Sequence, residues 1–188
     1  YVEYASPQGY GKMKGYLVRP AKAAGKLPGV LVIHENRGLN PHIEDIARRF
    51  ALEGYLAFAP DALFPVGGHP GNEDDARTKF GTLDAGKTQA DFLASFDWIA
   101  AHEGATGKVG AVGFCWGGGM VGQLAVHSRA LDAGVVFYGR QPASEDVAKI
   151  TAPLLLNYAG LDTRINEGIR PFVSALQMAG VRHDLYLY

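Results

Sequence analysis

Short apolar runs alternate with longer amphipathic segments along most of the chain. The runs are too short for helices and rich in valine, isoleucine, leucine and phenylalanine, which is typical of strands buried on both faces of a parallel sheet. They predict strands over 13–18, 29–34, 55–59, 109–113, 133–138, 153–158 and 184–188. Between the first two, the polar stretch of small residues at 20–28 predicts a hairpin turn.

Amphipathic segments between these runs predict helices. Over 41–53, Ile43 and Ala47 lie on one apolar face, Asn40 is a candidate N-cap and Gly54 ends the helix. The same reasoning predicts helices over 87–102, 120–126 and 167–178. Alternating strands and helices predict a single α/β domain over residues 1–188, with an open, mostly parallel sheet and helices on both faces.

One connection is long for such a fold. From 63 to 84 the sequence loses its periodicity and collects proline and glycine. Long insertions in compact domains tend to cover functional sites. Within it, Glu73, Asp74 and Asp75 predict the first turn of a short helix, where solvated acids are favoured, rather than a metal site.

Composition narrows the class of protein. With 188 residues, 47% hydrophobic and 20% charged, the chain is an ordinary globular sequence. A net charge of −1 without a basic run gives no support for a nucleic-acid partner, and no apolar stretch is long enough for a membrane span. We expect no metal or cofactor and take a monomer as the default. Because the sequence begins at Tyr1 and not at methionine, an N-terminal targeting segment could precede it. We favour a cytoplasmic location, with export as the alternative.

The chemistry centres on Gly113-Phe114-Cys115-Trp116-Gly117, between a predicted strand and a predicted helix. A G-x-nucleophile-x-G turn in this setting is a nucleophile elbow, which projects its central side chain above the sheet. A thiol at a helix N-terminus is stabilised as the nucleophilic thiolate. The alternatives are a buried structural cysteine and a phosphate-binding turn, but the glycines fit neither nucleotide-binding motif.

Further candidates lie at the carboxyl ends of the other predicted strands, where open α/β sheets bind ligands. They are Glu35, Asp61, Tyr138 and Asp162. Asp162 follows Cys115 in the order expected for the acid of a catalytic triad.

The histidine of a triad is harder to assign. Only His183 follows Asp162, and it begins the last predicted strand, at the opposite edge of the sheet. His34 and His69 could approach the site but precede the acid. We therefore expect the base directly after Tyr188, beyond this sequence.

These features together resemble the dienelactone hydrolase family. The similarity rests on the elbow, on His34-Glu35-Asn36-Arg37-Gly38, on Ala59-Pro60-Asp61 and on Gly160-Leu161-Asp162, and it runs along nearly the whole chain. It implies an α/β-hydrolase fold with a minimal cap, and a domain that lacks its C-terminal segment.

The resemblance also implies site residues and a reaction. Cys115 would be the nucleophile of a Cys-His-Asp triad, Asp162 its acid, and Glu35 the partner of the resting thiol, with Arg77 as the arginine that pairs with that glutamate. The substrate would be a small ester or lactone, of the carboxymethylenebutenolidase type, cleaved through an acyl-enzyme. Backbone amides of Trp116 and Asn36 would hold the oxyanion. From their positions in the sequence, the Tyr138 and Trp116 side chains either line the pocket or pack in the core.

Two other functions compete with hydrolysis. A catalytically silent protein on the same fold would bind a small apolar carboxylate or ester without turnover. A thiol-redox protein would use Cys115 but lacks a resolving cysteine. Arg37, Arg140 and Arg164 lie near predicted strand ends and are either carboxylate clamps or solvated surface charges.

Overall fold

Eight strands form one twisted sheet in the computed structural model, which describes residues 1–188 throughout. They are β1 (Val2–Ser6), β2 (Gly11–Val18), β3 (Leu27–Ile33), β4 (Leu56–Pro60), β5 (Ala105–Phe114), β6 (Ala133–Phe137), β7 (Leu154–Tyr158) and β8 (His183–Leu187). Their order across the sheet is β1-β2-β4-β3-β5-β6-β7-β8. Six neighbouring strands are mutually parallel: β4, β3, β5, β6, β7 and β8. At one edge of the sheet, β2 pairs antiparallel with β4, and β1 pairs antiparallel with β2.

Six α-helices connect the strands. They are α1 (Pro41–Leu52), α2 (Glu73–Phe80), α3 (Ala85–Ala101), α4 (Trp116–His127), α5 (Thr163–Asn166) and α6 (Ile169–Met178). Alternating strand residues point to opposite faces of the sheet, so each face has its own core. The larger core joins α3, α4 and α6 to residues such as Leu31, Val109 and Leu156. The smaller core lies under α1, against Val30, Ala57 and Val112.

The predicted α/β architecture is confirmed, with helices on both faces. Asn40 caps α1 as expected, because its side chain accepts a hydrogen bond from the Ile43 amide at 3.1 Å. The insertion also contains the expected short helix, α2, whose N-cap is Asn72. None of the helices combines the length and apolarity that crossing a bilayer would require.

One local prediction was wrong. The stretch 20–28 is not a hairpin turn: β2 and β3 do not pair, because β4 lies between them and bonds to both. The helix predicted over 167–178 is confirmed as α6, and the short helix α5 precedes it. The two helices are separated around Gly168, where a Cβ atom would lie 2.2 Å from Oε1 of Gln141, so a larger residue would displace that side chain.

Candidate active site

Cys115 lies at the junction of β5 and α4, in a backbone conformation that L-residues rarely adopt. Its φ is 55° and its ψ is −116°, and it is the N-cap residue of α4. Its own amide donates to the carbonyl of Phe137 on the neighbouring strand, at 2.9 Å. The strand-turn-helix context expected of a nucleophile elbow is therefore present, with the half-buried thiol at the carboxyl edge of the sheet.

The flanking glycines allow backbone segments to approach each other closely. A Cβ on Gly113 would lie 2.1 Å from the carbonyl oxygen of Gly117, and one on Gly117 would lie 2.4 Å from the carbonyl oxygen of Ile33. Both distances are far below van der Waals contact. The elbow is thus packed backbone against backbone in the middle of the sheet, which fixes the position of Cys115.

The candidate side chains follow one another along the carboxyl edge of the sheet. Since β4, β3, β5, β6 and β7 are neighbours in that order, the residues after them come in the same order. These residues are Asp61, Glu35, Cys115, Tyr138 and Asp162. The topology therefore gathers residues that are more than 120 positions apart in sequence into one row.

Glu35 and Tyr138 follow β3 and β6, the two strands that flank β5 and the Cys115 turn. The Tyr138 hydroxyl donates to Oε1 of Glu35 at 3.3 Å. Burial, followed by the charges of Glu35 and Cys115, raises the pKa of Tyr138 to about 12, so this hydroxyl keeps its proton and stays a donor. Tyr138 also has a positive φ, 43°, which is a strained conformation for a tyrosine.

Two backbone amides near Cys115 are available to a ligand. Trp116 is the first residue of α4, so its amide has no acceptor within the helix. The Asn36 amide, in the loop after β3, makes none of the backbone hydrogen bonds formed by the turns and loops. The two residues follow the adjacent strands β5 and β3, so both amides lie at the carboxyl edge of the sheet.

Asp162 lies two strands from Cys115, about 10 Å away by the usual strand spacing. It is half-buried and caps α5, since its Oδ1 accepts from the Ile165 amide at 3.2 Å. The end of β8 runs beside this turn: the Gly160 amide donates to the carbonyl of Tyr188.

His34 is a satisfied core residue. It is fully buried, its Nε2 accepts from the Ala62 amide at 3.1 Å, and its Nδ1 therefore carries the proton that it donates to the Glu35 carbonyl at 2.6 Å. Burial lowers the pKa of His34, so the ring stays neutral. It stacks on Trp116 with the ring centroids 5.7 Å apart, and thus supports the elbow from below.

The other histidines do not meet the thiol either. His183 pairs in register with Leu154, at the amino end of β7, and its Nδ1 bonds to the Val181 carbonyl. His69 accepts from the Gly71 amide within the insertion. None of the side-chain hydrogen bonds joins a histidine to Cys115 or Asp162.

The resemblance implied that Arg77 pairs with Glu35, but the structure shows no such pair. Arg77 lies on α2 with an exposed side chain, and its guanidinium pairs with Asp74 one turn earlier on the same helix. The arginine that reaches across from the Glu35 loop is Arg37, whose Nη1 lies 2.6 Å from Oε2 of Glu73 on α2. Helical spacing explains the outcome, because i and i+3 residues of one helix are neighbours.

Sequence reasoning missed the aromatic wall beside the elbow. Phe80 and Phe92 pack edge-on against Trp116, at 4.8 and 5.3 Å between ring centroids. Phe80 ends α2 and Phe92 belongs to α3, so the insertion closes over the start of α4. Because the sequence of the insertion lacks periodicity, it did not indicate that Phe80 contacts Trp116. No group of three or more histidine, cysteine, aspartate or glutamate side chains is placed to hold a metal ion.

The sheet order, the helices on both faces and the elbow define an α/β-hydrolase fold. A sequence model of the dienelactone hydrolase family matches residues 13–188, and the chain belongs to that family of hydrolases.

Three known proteins illustrate the relationship. A protein of Escherichia coli O157:H7 named as a candidate carboxymethylenebutenolidase is 35% identical over 94% of this chain and 70% of its own length. The hydrolase fragment YghX of Escherichia coli K12 is 62% identical over 77 residues, 41% of this chain and 66% of that fragment. The crystal structure of a candidate dienelactone hydrolase from Klebsiella pneumoniae superposes with a TM-score of 0.83, at 29% identity, over all of this chain and 84% of that one.

Proposed function

We propose that this protein hydrolyses ester or lactone bonds, of the carboxymethylenebutenolidase type, through an acyl-enzyme formed on Cys115. The observation that carries the proposal is the position of this thiol. Cys115 is held at φ 55° at the N-terminus of α4, with the unpaired amide of Asn36 on the adjacent strand loop. A strained, backbone-locked nucleophile beside free amides is the arrangement that acyl transfer requires.

In the proposed reaction, the base takes the proton of the Cys115 thiol, the thiolate attacks the carbonyl carbon, and a C–S bond forms as the carbonyl oxygen becomes an oxyanion. The Trp116 and Asn36 amides stabilise the oxyanion, a contribution of about 3 kcal/mol for each donor in comparable sites. The ester C–O bond then breaks and the leaving oxygen takes the proton from the base. Water, giving a proton to the base, attacks the thioester carbon; the C–S bond breaks, the acid leaves, and the proton returns to Cys115. Asp162 orients the base.

We assign the base to a histidine that enters from the carboxyl end of β8. Supporting this, Tyr188 is hydrogen-bonded to both Tyr158 and Gly160, so a residue that followed it would emerge beside Asp162. The proposal needs such a residue because none of the six histidines at hand bonds to Asp162.

Acylation of the 188-residue protein tests the nucleophile without requiring the base. At mildly alkaline pH, where thiols ionise unaided, 4-nitrophenyl acetate is expected to release one equivalent of nitrophenolate and leave one acetyl group on Cys115, with little turnover. Cys115→Ala should show neither. A folded wild-type protein that binds the ester without becoming acetylated would overturn the proposal in favour of a silent binding protein.

Glu35 is assigned as a restraint on the resting thiol, because a carboxylate beside sulfur disfavours the thiolate. We expect Glu35→Gln to raise the rate of Cys115 alkylation by iodoacetamide about fivefold at neutral pH and to shift the pH–rate profile to lower pH. Glu103→Gln, which removes an exposed carboxylate far from the elbow, serves as the control. An unchanged pH profile in Glu35→Gln would remove this role.

A further inference from the structure

The strand β8 lies at one edge of the sheet, and only one of its two sides is paired. That side bonds to β7, through the carbonyl of Arg182 and the amide of Tyr188 among others. Along a strand, the backbone groups of successive residues point to alternate sides. The N–H and C=O groups of His183, Leu185 and Leu187 therefore point away from β7, where the sheet has no further strand.

This edge lacks the features that usually prevent exposed strands from pairing. β8 contains no lysine, proline or bulge. The side chains of Tyr186, Leu187 and Tyr188 are 52%, 59% and 81% exposed, and they are three of the eight large hydrophobic side chains that the fold leaves at the surface. At the opposite edge of the sheet, β1 carries the charge of Glu3, which pairs with Lys12. The β8 edge is thus the one suited to bind another strand.

An apolar groove of about 450 Å³ lies beside this edge, on the face of the sheet that α6 covers. Ile169 and Val173 line it from α6, and Leu185 and Leu187 line it from β8. Because Leu187 is also one of the exposed residues of the edge, apolar surface continues from the groove to the unpaired side of the strand.

We propose that the β8 edge binds a second copy of this chain. The two β8 strands pair antiparallel around a two-fold axis at Leu185 and join the two sheets into one. This register matches Leu185 with itself and His183 with Leu187 of the second copy. Each matched pair exchanges two hydrogen bonds, so every outward backbone group of β8 is satisfied. The protein is then a dimer, and not the monomer taken as the default from the sequence.

The charges of β8 favour this partner and this register. Asp184 lies opposite Tyr186 of the second copy, and Arg182 lies opposite Tyr188, where a guanidinium can contact an aromatic ring. An axis at Asp184 would place two carboxylates directly opposite each other, which is destabilising. An axis at Tyr186 would leave the outward groups of His183 without a partner in β8.

The symmetry of the pair also brings the two apolar grooves together. A two-fold axis perpendicular to the sheet keeps both copies of α6 on the same face, so the grooves adjoin across the axis. The candidate active site stays free, because β8 is three strands away from β5, which leads into Cys115. The inference is therefore independent of the proposed function, and Cys115→Ala should dimerise like the wild-type protein.

Sedimentation equilibrium of the 188-residue protein tests the association. We expect the mass to rise from 20.1 kDa toward twice that value between about 1 μM and about 300 μM, a range typical of a small interface. A mass that stays at 20.1 kDa over the whole range would overturn the proposal.

Amide hydrogen exchange tests which backbone groups become bonded. At the high concentration, the amides of Leu185 and Leu187 should exchange about tenfold more slowly than at the low one. The amides of Asp184 and Tyr186 already bond to β7 and should change little. Concentration-dependent protection elsewhere in the sheet, without protection of Leu185 and Leu187, would place the contact outside β8.

Charge variants at two exposed positions test the register. Tyr186→Asp places a carboxylate opposite Asp184 and should leave the protein monomeric at about 300 μM. Tyr186→Lys places an ammonium group opposite the same carboxylate and should retain the dimer. Adding Asp184→Lys to Tyr186→Asp should restore the dimer, because opposite charges then face each other. Loss of the dimer in Tyr186→Lys would overturn this register.

Leu52→Asp is the control for association through the other face of the sheet. Leu52 is 84% exposed on α1 and borders a second apolar groove there, with Phe114 and Phe137. This variant should dimerise like the wild-type protein. A dimer that is lost in Leu52→Asp and kept in Tyr186→Asp would show that the copies meet on that face, and would reject the β8 interface.

Discussion

The Cys115 elbow and the Asp162 turn lie at the same edge of the sheet, yet they are stabilised in opposite ways. The elbow is in the centre of the sheet and is fixed by backbone contacts that exclude even one methyl group at Gly113 or Gly117. The Asp162 turn is near the edge strand β8, and its side chain is held by one capping hydrogen bond.

Under the proposed function, this difference matches two different roles. A nucleophile must meet the oxyanion donors within a fraction of an ångström, which a rigid interior supplies. An acid that acts through another residue needs less precision, so a turn near the sheet edge would suffice for it. Leu161, next to Asp162, is almost fully exposed, whereas Gly117 and Gly118, on the other side of the site, are buried.

Gly113→Ala should produce the largest effect, since the new Cβ would lie 2.1 Å from a backbone oxygen that cannot rotate away. We expect a loss of about 3 kcal/mol or more in the free energy of unfolding, measured by urea denaturation. Gly110→Ala, on the same strand, meets its nearest atom at 3.4 Å and should cost less than about 1 kcal/mol. Similar losses in both variants would show that the elbow tolerates backbone movement.

His34 should link the stability of the elbow side to pH. Burial lowers its pKa in the folded protein, so below the unfolded value of about 6.5 the unfolded chain binds a proton that the folded protein does not. The contribution of neutral His34 to the free energy of unfolding is therefore complete above about pH 6.5 and is lost as the pH falls below it. We expect about 1 kcal/mol of stability to disappear between pH 7 and pH 5.5.

In His34→Gln that part of the pH dependence should vanish, together with about 2 kcal/mol of stability at pH 7 from the disturbed bonds to Ala62 and Glu35. Urea titrations of both proteins at several pH values provide the measurement. A variant with the wild-type slope would show that the acid sensitivity arises elsewhere.

The Asp162 turn should show the smallest change in stability. Asp162→Ala removes the acceptor for the Ile165 amide and should cost about 1 kcal/mol, while Asp162→Asn keeps an N-cap oxygen and should be nearly neutral. Thermal or urea unfolding of the pair isolates the capping contribution. If Asp162→Asn were as unstable as Asp162→Ala, the negative charge rather than the cap would hold the turn.

The sequence indicated which candidate residues lie along the carboxyl edge of the sheet better than it indicated which residues they pair with. Cys115, Glu35 and Asp162 each follow a buried apolar run, so their common edge could be predicted from strand order alone. Arg77 could not be placed in the same way. It lies on a helix inside an aperiodic insertion, where it pairs with Asp74 three residues earlier, and the sequence does not indicate where that helix packs.

Strand and helix identity, the cap at Asn40 and the elbow glycines were determined by the sequence, because they depend on periodicity and on backbone freedom within a few residues. The tertiary structure alone decided that β4 separates β2 from β3, that His34 is a buried support with both nitrogens bonded, and that Phe80 packs against Trp116. These depend on which distant segments pack together, and the energy of such contacts is shared among residues that no local pattern connects.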